Sequence, residues 1–320
     1  MVSVIIPNYN HASFLKQRID SVLNQTYANF EVILLDDCST DNSREIIEQY
    51  RQHFKVSQIV YNKVNSGSAF KQWKKGIELA KGDWIWIAES DDYAHEELLA
   101  QLMVNINKRE NIVLSYCQSN EVDETNHGLR SMLWWTDDVD NKHWLADYTN
   151  DGKSEICKYL VFKNTIPNAS AVIFKKAAYL QVADNNHTSM KYCGDWLLWM
   201  QLLKTGNIAY TAQSFNFFRK HTATTRTMNT VEKLRKRLEE EYEILHYIKQ
   251  TFGISRIEFR KRIKFIMRLY SSSFTKRQVA GFFFRFNYKG CIPMYRVVAH
   301  KFGNLFSKGM LKLLDEREVT

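Results

Sequence analysis

The chain has 320 residues, 45% of them hydrophobic, with only 3 prolines and a net charge of +9. That content suits a medium domain with an appendage and excludes a disordered chain. The opening Met-Val-Ser-Val-Ile-Ile-Pro lacks the basic stretch and long apolar core of a secretory signal, and no run reaches the roughly 18 apolar residues of a membrane span, so a cytoplasmic location is expected. The 5 cysteines, Cys38, Cys117, Cys157, Cys193 and Cys291, are odd in number and widely spaced, with no C-x-x-C pair. This argues against a disulfide framework or a structural zinc site and predicts mostly buried thiols.

A β-branched run at 2–6, ended by Pro7, predicts a buried strand. Ser13 is placed to cap a helix with Leu15, Ile19, Val22 and Leu23 on one face. The apolar run 30–35 stops at Asp36-Asp37, and Ser39 or Thr40 opens a helix carrying Ile46, Ile47 and Tyr50. A strand over 56–61, a helix over 70–80 ending at Gly82, a strand over 84–88, a helix over 96–107 and a strand over 112–117 follow. Strands and helices alternating at this interval predict a parallel α/β sheet, in which ligands bind beyond the carboxyl ends of the strands. Two of those ends carry acidic pairs, Asp36-Asp37 and Asp91-Asp92.

The segment 118–167, with Trp134, Trp135 and Trp144 among Asp and Asn, reads as loops covering the site. A strand over 169–174 and a helix over 195–203 come next. Beyond His221 the texture changes: Val231, Leu234, Leu238, Tyr242, Leu245 and Ile248 recur at helical spacing, and Ser255 with Glu258 forms a capping-box pair. The charge is lopsided. From Val231 to Thr320 there are 20 Lys and Arg against 9 Asp and Glu, so the basic excess lies wholly in the last third. Phenylalanines interleave with the basic residues there, a pattern that suits an anionic membrane surface, and no nucleic-acid-binding module accompanies them.

Four segments hold residues that carry chemistry: Ile6-Pro7-Asn8-Tyr9-Asn10, Asp36-Asp37-Cys38-Ser39-Thr40-Asp41, Glu89-Ser90-Asp91-Asp92 and Gly194-Asp195-Trp196. A carboxylate pair at a strand end can clamp a divalent cation that neutralises a departing diphosphate. A single further carboxylate suffices as general base for displacement at a sugar's anomeric carbon. Together with Asn65-x-Gly67, the order and spacing of these segments over residues 2–221 resemble the family 2 glycosyltransferases, which are inverting enzymes with the GT-A fold.

That resemblance implies an α/β, Rossmann-like nucleotide-diphospho-sugar transferase fold, a mixed sheet with flanking helices, over 1–225. A basic helical C-terminal segment would fill 226–320. It makes Asp195 the catalytic base, at the position where the family usually has Glu-Asp. It makes Asp92 and His221 metal ligands for a divalent cation, Mn²⁺ or Mg²⁺. Pro7, Asn8, Tyr9, Asp37, Gly67, Asp91 and Arg219 would bind the nucleotide sugar: Asp37 at the base, Pro7 and Tyr9 flanking base and ribose, Asp91 at ribose or sugar, Arg219 at the diphosphate. Glu89 stands where the family often has Asp and is expected either to support the metal site from behind or to contact the sugar.

The implied partners are a nucleotide-diphospho-sugar donor and a glycan or lipid-linked saccharide acceptor, with peripheral contact at the inner face of the membrane and no nucleic acid. The implied setting is surface-polysaccharide assembly. A nucleotidyltransferase and a catalytically degenerate partner protein are the alternatives; the first is disfavoured because residues 7–14 lack a Gly- and Arg-rich loop.

Two departures from the family pattern carry expectations. Cys38 replaces the usual glycine of D-D-G-S, so the backbone there is not expected to be left-handed. Trp73 occupies the place of an arginine that helps hold the nucleotide, leaving Lys74 or Lys75 to supply the charge. Other residues read as structural: Asp41 as a helix cap, and Trp84, Trp86, Trp196 and Trp199 as core.

Overall fold

The computed structural model describes residues 1–107, 109–182, 186–221 and 230–254. They fall into two units, Met1–Met228 with Glu240–Ile244, and Asn229–Glu239 with Leu245–Thr320. The expected boundary at 225, the Ser255–Glu258 capping box and the basic run after 253 lie outside the described residues.

The first unit begins with the predicted alternation: β1 (Val2–Asn8), α1 (Ala12–Leu23), β2 (Phe30–Asp36), α2 (Ser43–Glu48), β3 (Val56–Tyr61), α3 (Ala69–Leu79) and β4 (Trp84–Ile87). β1 pairs in parallel with both β2 and β4, and β2 with β3, giving the order β3-β2-β1-β4. β1, β2 and β4 are buried along their whole length, which is why they read as continuous apolar runs rather than as alternation. α1 covers one face through Leu15, Ile19 and Val22, all fully buried. Each such burial stabilises the fold by roughly 1.5–3 kcal/mol. Parallel alignment then brings Asn8, Asp36 and the residues after Ile87 to a single rim.

The remainder is β5 (Tyr93–Ala94), α4 (Leu98–Ile106), β6 (Ile112–Val122), β7 (Gly128–Ser131), β8 (Tyr148–Asn150), α5 (Gly152–Glu155), β9 (Val172–Lys175), α6 (Lys176–Val182), α7 (Gly194–Leu203) and β10 (Asn207–Arg219). Here the sheet is mixed. β9 runs antiparallel between β4 and β6, β10 lies parallel to β6, and β5 and β8 pair antiparallel with β10. β7 pairs antiparallel with β6. The whole is a ten-stranded mixed sheet with flanking helices.

Two expectations change. The stretch read as loops supplies the second half of β6, all of β7 and β8, and α5. β10, 13 residues long, has no counterpart in the sequence reading; register shifts at Asn207/Ile208, Thr211/Ser214 and Ser214/Asn216 break the two-residue period that would reveal it.

α8 (Val231–Phe252) spans both units. It is opened by Thr230, whose hydroxyl accepts from the Lys233 amide, and closed by Gly253 in the left-handed conformation. Among the described residues no helix is long and apolar enough to cross a membrane, and Cys38 and Cys117 are free thiols.

Cys38 corrects an expectation. Its φ is +63°, so the turn after β2 does adopt the left-handed conformation that glycine favours. The turn is imposed by Asp36, which accepts from the Ser39 amide at 3.0 Å, while the Asp37 amide donates to the Asn8 carbonyl at 2.8 Å. Cys38→Gly should therefore raise stability by about 1 kcal/mol, seen as a higher midpoint of thermal unfolding. A lower midpoint would show that the thiol's contact with the Lys63 carbonyl outweighs the backbone strain. Asp41 does cap: its carboxylate accepts from the Ser43 amide at 3.0 Å and also from the Ala12 amide at the start of α1, at 2.9 Å. It is Asp41, together with His11 as the capping position, that opens α1, not Ser13.

Candidate active site

The rim at the ends of β1, β2 and β4 collects most of the expected residues, with roles that differ in detail. Tyr9 lies at the tip of β1 and is 46% exposed, available to a planar ligand. Pro7 is locked inside β1 opposite Leu35. The buried Asn8 side chain is used internally, donating to Asp36 at 3.0 Å and to the Ser39 hydroxyl at 3.1 Å. It ties β1 to the β2 turn.

Asp37 is only 4% exposed. Its carboxylate accepts from the Asn62 amide group, the Ser66 amide (2.9 Å), the Ser66 hydroxyl (2.7 Å) and the Gln72 side chain (2.9 Å). These bonds fold the 62–68 loop over the end of β2, and Gly67, at φ +69° with open space around it, forms the exposed tip of that loop. Lys75 reaches Asn62, one hydrogen bond away from Asp37, whereas Lys74 pairs with Glu78 on the exposed side of α3. Of the two lysines, only Lys75 is directed toward the Asp37 cluster.

Trp73 does not act as a substitute cation. It is buried, and its indole N–H donates to Glu89 at 2.6 Å while its ring stacks 6.2 Å from Trp199. It therefore couples α3, the acidic end of β4 and α7. Burial, then the neighbouring Asp91 charge, pushes the Glu89 carboxyl up to about 8.

Asp91 and Asp92 point to different surroundings. Asp91 meets His221 at 3.0 Å, and one ligand atom each from His11, Asp91 and His221 lie within 4.8 Å of one another. Burial opposes ionisation of Asp91, but the His221 hydrogen bond and the adjacent His11 hold it below the ordinary carboxylate range. The bond to Asp91 raises the His221 pKa, and burial lowers that of His11, favouring its neutral, ligating form. His11 is further oriented by the Ser90 hydroxyl, 2.8 Å from its Nδ1.

Asp92, by contrast, is 2% exposed and serves the fold. It accepts from the Arg219 amide at 2.9 Å and lies 3.9 Å from the buried Arg18 guanidinium. Burial and the Asp91 charge push it up to about 6, and burial lowers Arg18 to about 10. The expectation of Asp92 as metal ligand thus meets a carboxylate already committed to Arg18 and the β10 backbone; the ligand geometry gathers at Asp91 instead.

Arg219 departs in the same way. Its guanidinium is fully buried, donating to the carbonyls of Asp91, Asp123 and Glu124 and to Gln17, and packing over Phe14 at 4.6 Å. Those bonds fasten the end of β10 to the acidic rim.

Asp195 sits in the first turn of α7, where its carboxylate accepts from the Asn164 side chain at 2.8 Å. Gly194 before it is required by packing. A Cβ there would meet the His187 carbonyl at 2.5 Å and the Phe70 ring at 2.7 Å. The His187 carbonyl and the Phe70 ring leave no room for a glutamate at this position without a shift of its neighbours. Gly194→Ala should lower the thermal midpoint by several degrees, an overpacking cost of about 1–3 kcal/mol; an unchanged midpoint would mean that Phe70 yields without penalty. α7 is otherwise core: Trp196 donates to the Leu160 carbonyl, and Trp199 is fully buried.

His11 is the residue that sequence reasoning missed. Its signal is present only in three dimensions, because β1 and β4 are neighbours in the sheet but about eighty residues apart in the chain.

The family model of Glycosyl transferase family 2 matches residues 3–166, half of the chain, and the protein belongs to that family. The chain is 34% identical over 110 residues to Glycosyltransferase GlyG of Streptococcus pneumoniae, covering 34% of this chain and 36% of that one. It is 34% identical over 116 residues to the poly(ribitol-phosphate) beta-N-acetylglucosaminyltransferase TarS of Staphylococcus aureus, covering 35% and 20%. The matched parts thus span little more than a third, or less, of those relatives. The structure of S. aureus TarS residues 1–349 with UDP-GlcNAc superimposes with a TM-score of 0.64 at 19% identity, covering 89% of this chain and 76% of that one, which establishes the shared GT-A fold.

Proposed function

We propose that the protein is an inverting glycosyltransferase that moves a sugar from a nucleoside-diphosphate donor to an acceptor hydroxyl in the assembly of a surface polysaccharide. The observation that carries this reading is the coexistence, within a family 2 fold, of the His11–Asp91–His221 cluster on the β4 rim and the Asp195 carboxylate on α7. Trp73 links the two by bonding to Glu89 and stacking on Trp199. The nucleotidyltransferase and degenerate-partner alternatives draw no support from the family match.

In this reading the nucleotide lies along the rim formed by Tyr9 and the Asp37-anchored loop ending at Gly67. His11, Asp91 and His221 fit a divalent cation: one carboxylate and two imidazoles converge, and Ser90 orients one ring. When bound, the cation supplies charge neutralisation for the departing diphosphate. Asp195 takes the proton of the acceptor hydroxyl as its oxygen bonds to the anomeric carbon, and the electron pair of the breaking C–O bond leaves with the nucleoside diphosphate. Attack opposite the leaving group inverts the anomeric centre. Asn164 holds the Asp195 carboxylate in place for that transfer.

A glycan or lipid-linked saccharide is the proposed acceptor, and the basic, phenylalanine-rich residues after 253 support contact with an anionic membrane surface. Poly(ribitol-phosphate) is named for two of the relatives and supports a polyanionic wall polymer as one acceptor class to screen.

A thermal-unfolding panel of UDP-, dTDP- and GDP-linked hexoses, UDP-GlcNAc included, tests the donor site. A true donor at a hundred times its Kd should stabilise the protein by about 2.7 kcal/mol. Two imidazoles favour a transition-metal ion, so Mn²⁺ should support this shift at lower concentration than Mg²⁺, which prefers an all-oxygen shell. No shift with any donor in either metal would contradict the proposal.

A further inference from the structure

The segment leading into α7 is held by a residue from far down the chain. The amides of Lys191, Tyr192 and Cys193 all donate to the carboxylate of Glu240, at 2.8, 2.8 and 3.0 Å. Glu240 is 1% exposed and belongs, with the rest of Glu240–Ile244, to the first unit. Cys193 is the capping position of α7 and its side chain makes no cap bond; within the helix the Asp195 carboxylate accepts from the Trp196 amide at 2.7 Å. The amides at and before the start of a helix have no intrahelical partner. One buried carboxylate receiving three of them makes charge-assisted bonds, the strong kind. Gly194 follows directly, with no room for a side chain of its own, and Asp195 comes next.

We propose that Glu240 is the positioning residue for the general base. It fixes the backbone of 191–193, and with it the direction in which α7 leaves and the point from which Asp195 projects. Asn164 then holds the Asp195 carboxylate itself. The base is thus secured at two places, main chain and side chain, by residues 31 before and 45 after it in the sequence. General-base catalysis is sensitive to this placement, since a displacement near 1 Å can cost roughly a hundredfold in rate. The inference rests on the assignment of Asp195 as base.

The test uses the full chain with Glu240→Gln, which keeps the size but replaces one of the two accepting oxygens, and the charge, with an N–H₂ that faces at least one of the three donors, and Glu240→Ala as the stronger change. Turnover of the donor selected by the nucleotide panel is expected to fall ~10- to 100-fold in kcat, with donor KM and nucleoside-diphosphate Kd unchanged. Hydrogen exchange should quicken at the amides of 191–195 and stay as it was in β1, β2 and β4. This second readout needs no donor. A kcat within twofold of wild type overturns the proposal, as does continued protection of those amides. A parallel loss of kcat, nucleotide affinity and core protection also overturns it, because Glu240 would then merely support the fold. Asp195→Asn, run alongside, separates the two claims: if it retains transfer, the base assignment itself is wrong; if it is inactive while both Glu240 variants are normal, only the positioning role fails.

Discussion

Asp195→Asn should reduce sugar transfer by about 10²–10⁴-fold, the range that a positioned general base contributes, with nucleotide affinity within about twofold of wild type. The substitution is nearly isosteric. The amide oxygen of Asn can keep the 2.8 Å bond from Asn164 or the 2.7 Å bond from the Trp196 amide, and the buried residues of α7 should hold the helix in place. What is lost is the capacity to accept the acceptor's proton. The expected signature is therefore a fall in kcat at constant donor KM, which marks an interaction made only in the transition state. Release of nucleoside diphosphate, followed at saturating donor, checks it. Full activity in this variant would remove Asp195 from the chemistry.

The second large effect separates two adjacent aspartates. Asp91→Asn should abolish the Mn²⁺-dependent stabilisation by donor and lower transfer by at least ~10²-fold, with a smaller loss of stability in the metal-free protein than the Asp92 change brings, because Asp91 is the more exposed of the two. His11→Ala and His221→Ala should each weaken the Mn²⁺ response in the same direction, since all three offer ligand atoms within 4.8 Å of one another. Asp92→Asn should behave in the opposite manner. It removes the carboxylate facing the fully buried Arg18, and breaking a buried pair by deleting one partner destabilises by about 3–5 kcal/mol. The protein that remains folded should still respond to Mn²⁺. Thermal unfolding with and without Mn²⁺ reads both outcomes. Loss of the metal response in Asp92→Asn, with the response intact in Asp91→Asn, would restore Asp92 as the ligand.

The contrast between these neighbours shows where sequence reading stops. The β1-to-β4 half was legible because β1, β2 and β4 are largely apolar runs that stop at or near Pro7, Asp36-Asp37 and Glu89, and the helices between them carry clear stripes such as Leu15, Ile19 and Val22. β10 was not, because bulges break its period, and β7 and β8 are only 4 and 3 residues long. The acidic rim was legible as a place, but the division of labour within it was not. Which of Asp91 and Asp92 faces outward depends on how the chain turns after β4 and on Arg18, which arrives from α1. Arg219 illustrates the same limit: its guanidinium suits a diphosphate, yet three main-chain carbonyls and Gln17 claim it. Cys38 shows that a missing glycine does not imply a missing left-handed turn, because the bonds around Asp36 and Asp37 enforce the turn. Trp73 shows that a substituted arginine need not be replaced by another cation; here the position became a packing link between Glu89 and α7.

The central claim, inverting transfer with Asp195 as the only base, is tested most directly by the anomeric configuration of the product. A donor with an α-linked nucleoside diphosphate, turned over by the wild-type chain with Mn²⁺ and an oligosaccharide acceptor, can be followed by the proton coupling of the new anomeric centre. The account predicts a β-linked product formed in step with nucleoside-diphosphate release, and neither in Asp195→Asn. An α-linked product would contradict it, because retention requires a second nucleophile on the enzyme or a front-face mechanism that this arrangement of Asp195 does not provide.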